Sequence, residues 1–543
     1  MSEALGNGWA YATLGDVATL IGGSGFPEAI QNLSGNEFPF FKVRHLALGS
    51  DTELLFDSEH TITKEHAKKL GAKLIPPGSI VFAKVGEAIR LNRRRRIGKP
   101  SHIDNNMMAA IPLPGVESRW LFRLLQTVNF YSLAQATTVP SVRKSDITRL
   151  SFSLPPSAEQ RRIADRIDEL FTDLTAGTAA LERVQKKLRR YRAAVLHAAV
   201  TGRLTAKWRE EQRKRKTKIE PAEELLKRIL TARREAWEDR TLAKYAEQGK
   251  QPPKGWKDRY RNPTTVKPGD LPQLPQGWCW ATNDELVGTI TSGSRDWTPF
   301  YGRGSGTFIM AQNVRMGRLE RGFRQAVDPP VNDRDRIRSQ VEKDDLLVTI
   351  VGANTGDVCR VSESLDEHYV CQSVALMRPV LSQTSSWLLT WFTSPSGAQA
   401  QFRKHIYGAG RPHLGFDHLQ ETVVALPPLE EQPAIAEAVQ EKTSQIEALE
   451  AEIEHGLKRA GRLRQAILKA AFDGKLVPQD PADEPATVLL ERIRSEREQA
   501  AADKQAAKQP AVRKSNAKKQ PATMLSTDKQ PAATGKKRKA RQS

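Results

Sequence analysis

Apolar positions recur at heptad spacing over two long stretches of this chain. In the first they are Ile167, Leu170, Leu174, Leu181, Val184, Leu188, Tyr191 and Val195; in the second, Val439, Ile446, Leu449, Ile453, Leu463 and Ile467. That period predicts two long helices, Ser157–Ala199 and Leu429–Ala471, each spanning roughly 60 Å at about 1.5 Å per residue. Each stripe is too narrow for a helix buried all round, so each helix needs a partner. The two are equivalent, and the simplest partner for one is the other. An antiparallel coiled coil is expected, with Ile167, Leu174, Leu181, Leu188 and Val195 facing Val439, Ile446, Ile453, Leu463 and Ile467.

Outside these stretches the pattern is of short runs. Gly78–Gly86 and Asp344–Gly352 each read as a buried strand ending at a glycine turn. Trp120–Leu125 and Trp387–Phe392 read as short helices packed on those sheets. Each globular unit is therefore α+β.

These features come in pairs because the chain repeats. Leu154-Pro-Pro-Ser-Ala-Glu-Gln returns at Leu426-Pro-Pro-Leu-Glu-Glu-Gln, and the Ala194–Leu204 segment returns at Ala466–Leu476, both displaced by 272 positions. A period that long is a duplicated domain-plus-helix unit, not a solenoid. The copies open at Gly8-Trp9 and Gly277-Trp278. Leu-Pro-Pro marks the switch to helix, because proline disfavours helix in the residue before it. Ser157 and Gln160 fit a capping box. In the second copy Glu430 and Glu431 favour the positive helix end, while Pro433 threatens one hydrogen bond. Gly202 and Gly474 stand where a left-handed C-cap is needed. The expected organisation is a globular unit at 1–154, helices at 155–250, a Pro- and Gly-rich linker at 251–276, a second globular unit at 277–426, helices at 427–500 and a basic tail at 501–543 too poor in apolar residues to fold.

Charge adds a partner to this picture. The chain carries a net +21, which points to a polyanion. The tail holds 12 Lys and Arg against two Asp, so roughly half the excess sits there. Cys279, Cys359 and Cys371 are too few and scattered for a disulfide frame or zinc site, and read as reduced core thiols. With no secretory leader and no apolar run of membrane length, a soluble cytoplasmic protein with no membrane partner is expected.

Leu-Pro-Pro-x-x-Glu-Gln leading into a heptad helix that ends in Ala-x-x-Gly-Lys/Arg-Leu, all twice, resembles the specificity subunits of type I restriction–modification systems. The likeness runs to about Arg497 and leaves out the tail. It implies two target recognition domains, each reading half of a bipartite, asymmetric site on double-stranded DNA. It implies that the helices act as a ruler and dock two modification (adenine methyltransferase) subunits, with restriction (ATP-driven nuclease) subunits completing the enzyme. The implied fold is a pseudo-two-fold dumbbell: two homologous domains on two antiparallel coiled-coil helices, with a disordered basic C-terminal tail. S-adenosylmethionine, ATP and Mg would belong to the partner subunits; this chain would bind no cofactor and be non-catalytic.

The residues agree about catalysis. No Gly-x-x-x-x-Gly-Lys-Ser/Thr loop and no His-Glu-x-x-His pair is present. Asp328-Pro-Pro-Val331 is close to the Asp-Pro-Pro-Tyr of amino-methyltransferases but lacks the stacking aromatic, and reads as a turn. His405, His413 and His418 lack metal spacing. Candidate DNA contacts cluster in loops after the expected strands: Lys42, Arg44, Lys84, Arg90, Asn92, Arg93, Arg94, Arg95, Arg96, Arg143 and Lys144 in the first unit. In the second they are Arg295, Asn313, Arg315, Asn354, Arg411 and His413. Four consecutive arginines are too crowded for all to read bases, so some should hold phosphates. Two rival readings are a stand-alone architectural DNA-binding protein, which needs no partner subunits, and an enzyme with an unrecognised nuclease or methyltransferase site.

Overall fold

The computed structural model describes residues 6–47, 53–134, 139–267, 269, 271–408 and 410–516 (506–516 as backbone). The chain divides into two compact units, Met1–Ala176 with Arg459–Ser543, and Gly177–Lys458. The division falls inside both long helices, Ser157–Val200 and Glu431–Phe472. Each unit therefore holds one globular domain, the start of its own long helix and the end of the other.

In the first unit a five-stranded sheet runs in the order Ala18–Gly22, Met107–Pro112, Ile80–Ala83, Arg94–Ile97, Leu54–Leu55. A three-stranded sheet pairs Phe38–Phe41 with Thr61–Ile62 and, in parallel, with His102–Ile103. The helix Ser118–Thr127 buries Trp120, Leu121, Phe122, Leu124 and Leu125 in the core. The second unit repeats the plan. Val287–Ser292, Val374–Pro379, Leu346–Thr349 and Val358–Arg360 form one sheet; Gln325–Val327, Tyr301–Ile309 and His368–Val370 form the other. The α+β class stands. The buried strands Ile80–Ala83 and Leu346–Thr349 lead into turns where Gly86 and Gly352 take φ of 85° and 122°.

The long helices close as their glycines require: Gly202 and Gly474 both sit at φ 69°. Their starts differ from expectation. Ser157 donates its hydroxyl to Gly115 O (2.8 Å), while Gln160 donates to Pro155 O (2.9 Å) and accepts from Glu117 N (2.9 Å). No capping box forms, because both side chains are taken by the domain. The second helix starts at Glu431, two residues later than expected, so Pro433 falls in the first turn, where an N–H has no helical acceptor to lose.

The apolar stripe divides between two tasks. In the second unit Leu188, Ile446 and Ile453 form a buried cluster with Leu181 and Leu457 against it. Arg192 there reaches Glu450 at 3.0 Å. In the first unit Ile167 and Ile467 enter the domain core with Leu174 against it, and Arg464 lies 4.1 Å over the Phe171 ring. Val195 is buried. Two positions depart from their expected pairing role: Val439 packs on the core of the second domain, and Leu463 is exposed. The first turns of a helix that leaves a domain spend their apolar residues on that domain. Near Phe171 it is Arg464, not Leu463, that faces across.

The helix Ala486–Asn516 runs past Ala501, where the unfolded tail was expected to begin. Residues 517–543 of that tail lie outside the described residues. Cys359 and Cys371 are buried, and burial pushes the Cys279 and Cys359 thiols up to about 12, far from nucleophilic use.

Candidate nucleic-acid interface

Four chain segments converge at one end of each sheet, through the same backbone bonds in both copies. In the first unit Phe41 O accepts from Asp104 N (2.9 Å), Lys84 N donates to Asn106 O (2.9 Å), Val142 N donates to Lys84 O (2.9 Å) and Gly86 N donates to Pro140 O (2.7 Å). In the second, Ile309 O accepts from Cys371 N (2.9 Å), Ile350 N donates to Ser373 O (2.9 Å), Leu414 N donates to Ile350 O (2.9 Å) and Gly352 N donates to Pro412 O (3.0 Å). The rim built this way carries Lys42, Arg44, Lys84, Arg143 and Lys144 in one unit. In the other it carries Arg295, Arg315, Asn354, Arg411 and His413.

The rim residues are held to different degrees. Arg143, Lys144, Arg295 and Arg411 are exposed. Lys42 donates to Gln31 Oε1 at 2.9 Å. Arg44 is 56% exposed and ion-paired to Glu59, which also accepts from the buried His45 at 2.7 Å. Burial alone would raise the Glu59 carboxyl, but the His45 hydrogen bond and the neighbouring positive charge hold it down to about 2. Arg315 sits beside Asp357, whose backbone N–H donates to Asn354 O at 2.9 Å. His413 stacks on Tyr407, with ring centroids 5.3 Å apart. Glu59, Asp357 and the hairpin residues Asn106 and Ser373 were not singled out from sequence. Only the topology brings them to the rim.

Other candidates leave it. The arginine run is not a loop: Arg94–Ile97 is an inner strand, with Phe82 opposite Arg94 and Ile80 opposite Arg96. Arg94 is buried, donates to Val128 O (2.5 Å) and Asn92 O (2.6 Å), and stacks 4.2 Å from the Phe130 ring. Burial lowers its pKa to about 9. Arg96 lies over Phe122 in the field of Glu53 and Asp168, the two carboxylates that clamp buried Arg123 at 2.5 Å each. Asn92 is spent on Val128 O, Phe130 N and Arg94. Arg95 is half-buried in the same strand, and only Arg93 of the run is exposed. Arg90 lies 4.3 Å over Tyr131 and is paired to Glu87. In the second unit Asn313 is buried, donating to Glu320 O and Phe323 O and accepting from Met310 N. Asp328-Pro-Pro leads into a turn at Val331 and Asn332, closed by Asp333 N donating to Pro330 O at 3.1 Å. His405 stacks on His418, and no group among the described residues could hold a metal ion.

The repeated motifs meet away from the rim. Trp9 Nε1 donates to Glu159 Oε2 and Trp278 Nε1 to Glu431 Oε2, both at 2.9 Å and buried. Gly474 lies against Trp9 and Gly202 against Trp278, so the end of one long helix abuts the opening of the other domain within each unit. The helix after it joins in: Ala486 N donates to Gly8 O and Ala222 N to Gly277 O, both 2.8 Å. Gly-Trp, Glu-Gln and Ala-x-x-Gly are thus one joint, built twice. The sequence signal was their joint recurrence.

Residues 6–183 match the family model for the type I restriction modification DNA specificity domain. The EcoKI specificity subunit of Escherichia coli (strain K12) is 22% identical over 529 residues, covering 93% of this chain and 98% of that protein. The Escherichia coli EcoBI specificity subunit is 27% identical over 385 residues, covering 69% and 70%. A chain solved in work on complex assembly and conformational transition of the type I R-M system shares the fold, with a TM-score of 0.60 and 18% identity over 87% of this chain and all of that one. Along nearly its whole length the chain is thus similar to specificity subunits of type I restriction–modification systems.

Proposed function

We propose that this chain is the DNA sequence-recognition subunit of a type I restriction–modification enzyme. It reads a bipartite, asymmetric target on double-stranded DNA and carries no catalytic centre of its own. The observation behind this reading is one joint repeated twice beneath two different rims. A shared scaffold with unlike reading surfaces suits two unlike half-sites. Rim cations supply phosphate contacts, and rim side chains with fixed geometry, such as Arg44 beside Glu59, supply base contacts.

The paired long helices act as an antiparallel coiled-coil spacer that sets the distance between half-sites, and the two halves form a pseudo-two-fold dumbbell. Exposed Val184, Tyr191 and Leu449 on those helices offer apolar footing for two methyltransferase subunits, to which restriction subunits add. S-adenosylmethionine, ATP and Mg are used by those partners, in the cytoplasm. No helix among the described residues is long and apolar enough to cross a membrane.

Co-expression with the modification subunit, followed by purification and mapping of modified adenines, tests the reading. A stable complex methylating one split, asymmetric sequence is expected. Sequence-independent binding by a chain that captures no methyltransferase would instead mark a stand-alone architectural protein.

A further inference from the structure

The helix Ala222–Glu247 and the segment after it carry a cluster with no part in the rim or the joint. Trp237 stacks on Trp256 (5.7 Å, 24°) and meets Tyr260 edge-on (5.3 Å). This small aromatic platform pins a stretch that the sequence alone reads as linker. Beside it lies a cleft of about 190 Å³ lined by Arg233, Arg240, Arg259 and Arg261.

Its one carboxylate is already satisfied. Asp284 accepts from Arg233 Nη2 at 3.2 Å and from Thr264 N at 2.8 Å. Arg233 is further fixed by the Tyr260 hydroxyl at 2.8 Å. The neighbouring cations Arg234 and Lys257 are neutralised by Glu238, at 3.1 and 2.7 Å. Among the described residues Arg240, Arg259 and Arg261 have no ion pair. Like charges gathered on one cleft repel, and a fold that keeps them there against a rigid wall is compensated when an anion binds between them. Guanidinium groups match phosphate oxygens in geometry as well as charge.

We propose that this cleft is a phosphate-binding site separate from the recognition rim. It borders Gly288, near the start of the strand Val287–Ser292, whereas the rim lies at that strand's far end, where Ser292 pairs with Ala375. Six residues of strand put the two roughly 17 Å apart. That is about five backbone phosphates along one DNA strand, so duplex flanking a half-site can reach the cleft. The same chemistry would take a free phosphate or pyrophosphate group. The DNA source rests on the function proposed above; the small-phosphate source does not.

The test uses the full chain and the triple variant R240Q/R259Q/R261Q, with R261Q alone as a milder change at an exposed residue. Binding of a random-sequence duplex is followed against salt, and binding of inorganic pyrophosphate by calorimetry. If the source is DNA, the triple variant lowers the slope of log K against log salt by about 2–3, and R261Q by about one, with base preference at the specific site intact. If the source is a small phosphate, pyrophosphate binds the native chain and not the variants, while the salt slope stays. Unchanged duplex and pyrophosphate binding in both variants overturns the site. So does loss of polyglutamate binding alone, which would assign the cleft to an acidic protein surface. Failure of all sequence-specific DNA binding in the native chain, with pyrophosphate still held by the cleft, would overturn the functional proposal and leave the site standing.

Discussion

The two copies of the joint use the same tryptophan–glutamate bond but treat the charge differently. Glu431 is fully buried and compensated: besides Trp278 it accepts from Thr205 Oγ1 at 2.6 Å and is ion-paired to Arg209. Glu159 is as buried, but its Oε1 has no hydrogen-bond partner, and burial raises its carboxyl above the usual range. Arg162, one turn away, is instead paired to Asp483 at 2.6 Å. The position 272 residues after Arg209 is Pro481. Duplication preserved the geometry of the joint and not its electrostatics. One end is held by a compensated ion pair, the other by an acid that is easier to bury neutral.

The sharpest way to break this comparison is to neutralise both acids in turn. Glu431→Gln keeps the tryptophan acceptor but strands Arg209, and is expected to destabilise the second unit by about 2–3 kcal/mol. Glu159→Gln removes a charge that burial opposes, and should be neutral or stabilising at pH 7. The sign follows from linkage: a carboxyl whose folded pKa is raised holds its proton in the native state while the unfolded chain has lost it. Native Glu159 therefore weakens the first unit as pH rises from about 4.5 through the raised value, and Glu159→Gln abolishes that slope. Hydrogen exchange resolved by unit, with and without urea, reads both. Equal losses from the two variants would show that the ends are equivalent.

A comparison within one strand comes next. Arg94→Ala leaves the Asn92 carbonyl without its donor and Val128 O with only Asn92 Nδ2, and should cost about 2 kcal/mol in urea denaturation, with little direct effect on DNA affinity once folding is accounted for. Arg93→Ala should leave stability within about 0.5 kcal/mol and lower the salt slope of DNA binding by about 0.9. A stable Arg94 variant with weakened DNA binding would return the run to the interface.

The smallest effect concerns the rim. With Glu59 held near 2 against an ordinary 4.5, its share of stability is present above about pH 4.5 and lost as pH falls toward 2. Because Glu59 is 48% exposed, solvent screening keeps that share below about 1 kcal/mol. Glu59→Gln should flatten this part of the acid-unfolding curve. It should also relax base preference in the first half-site by freeing Arg44. An unchanged preference would leave Arg44 a phosphate contact.

What could be read from the sequence was what local chemistry decides. Leu-Pro-Pro starts each long helix, Gly202 and Gly474 end them, and Gly86 and Gly352 turn the chain at the rim, because proline fixes φ and glycine alone takes positive φ without strain, wherever they stand. The repeat exposed the joint without its bonds. The arginine run was misread because a row of cations looks solvated. A strand sends alternate residues to opposite faces, so Arg94 and Arg96 share a side, where Phe130, Phe122 and the Glu53–Asp168 pair await them. Those partners are remote in sequence. Ser157 and Gln160 failed as a capping box for the same reason: Gly115 and Glu117 outcompete the helix for their side chains.

Exchanging Gly8–Ser153 for the matching domain of a related specificity subunit, then mapping modified adenines in cells that also carry the modification subunit, tests most directly whether the two domains read independently on one spacer. The expected result is a new first half-site, an unchanged second half-site and the same distance between them. A hybrid that altered both half-sites, or their spacing, would contradict it.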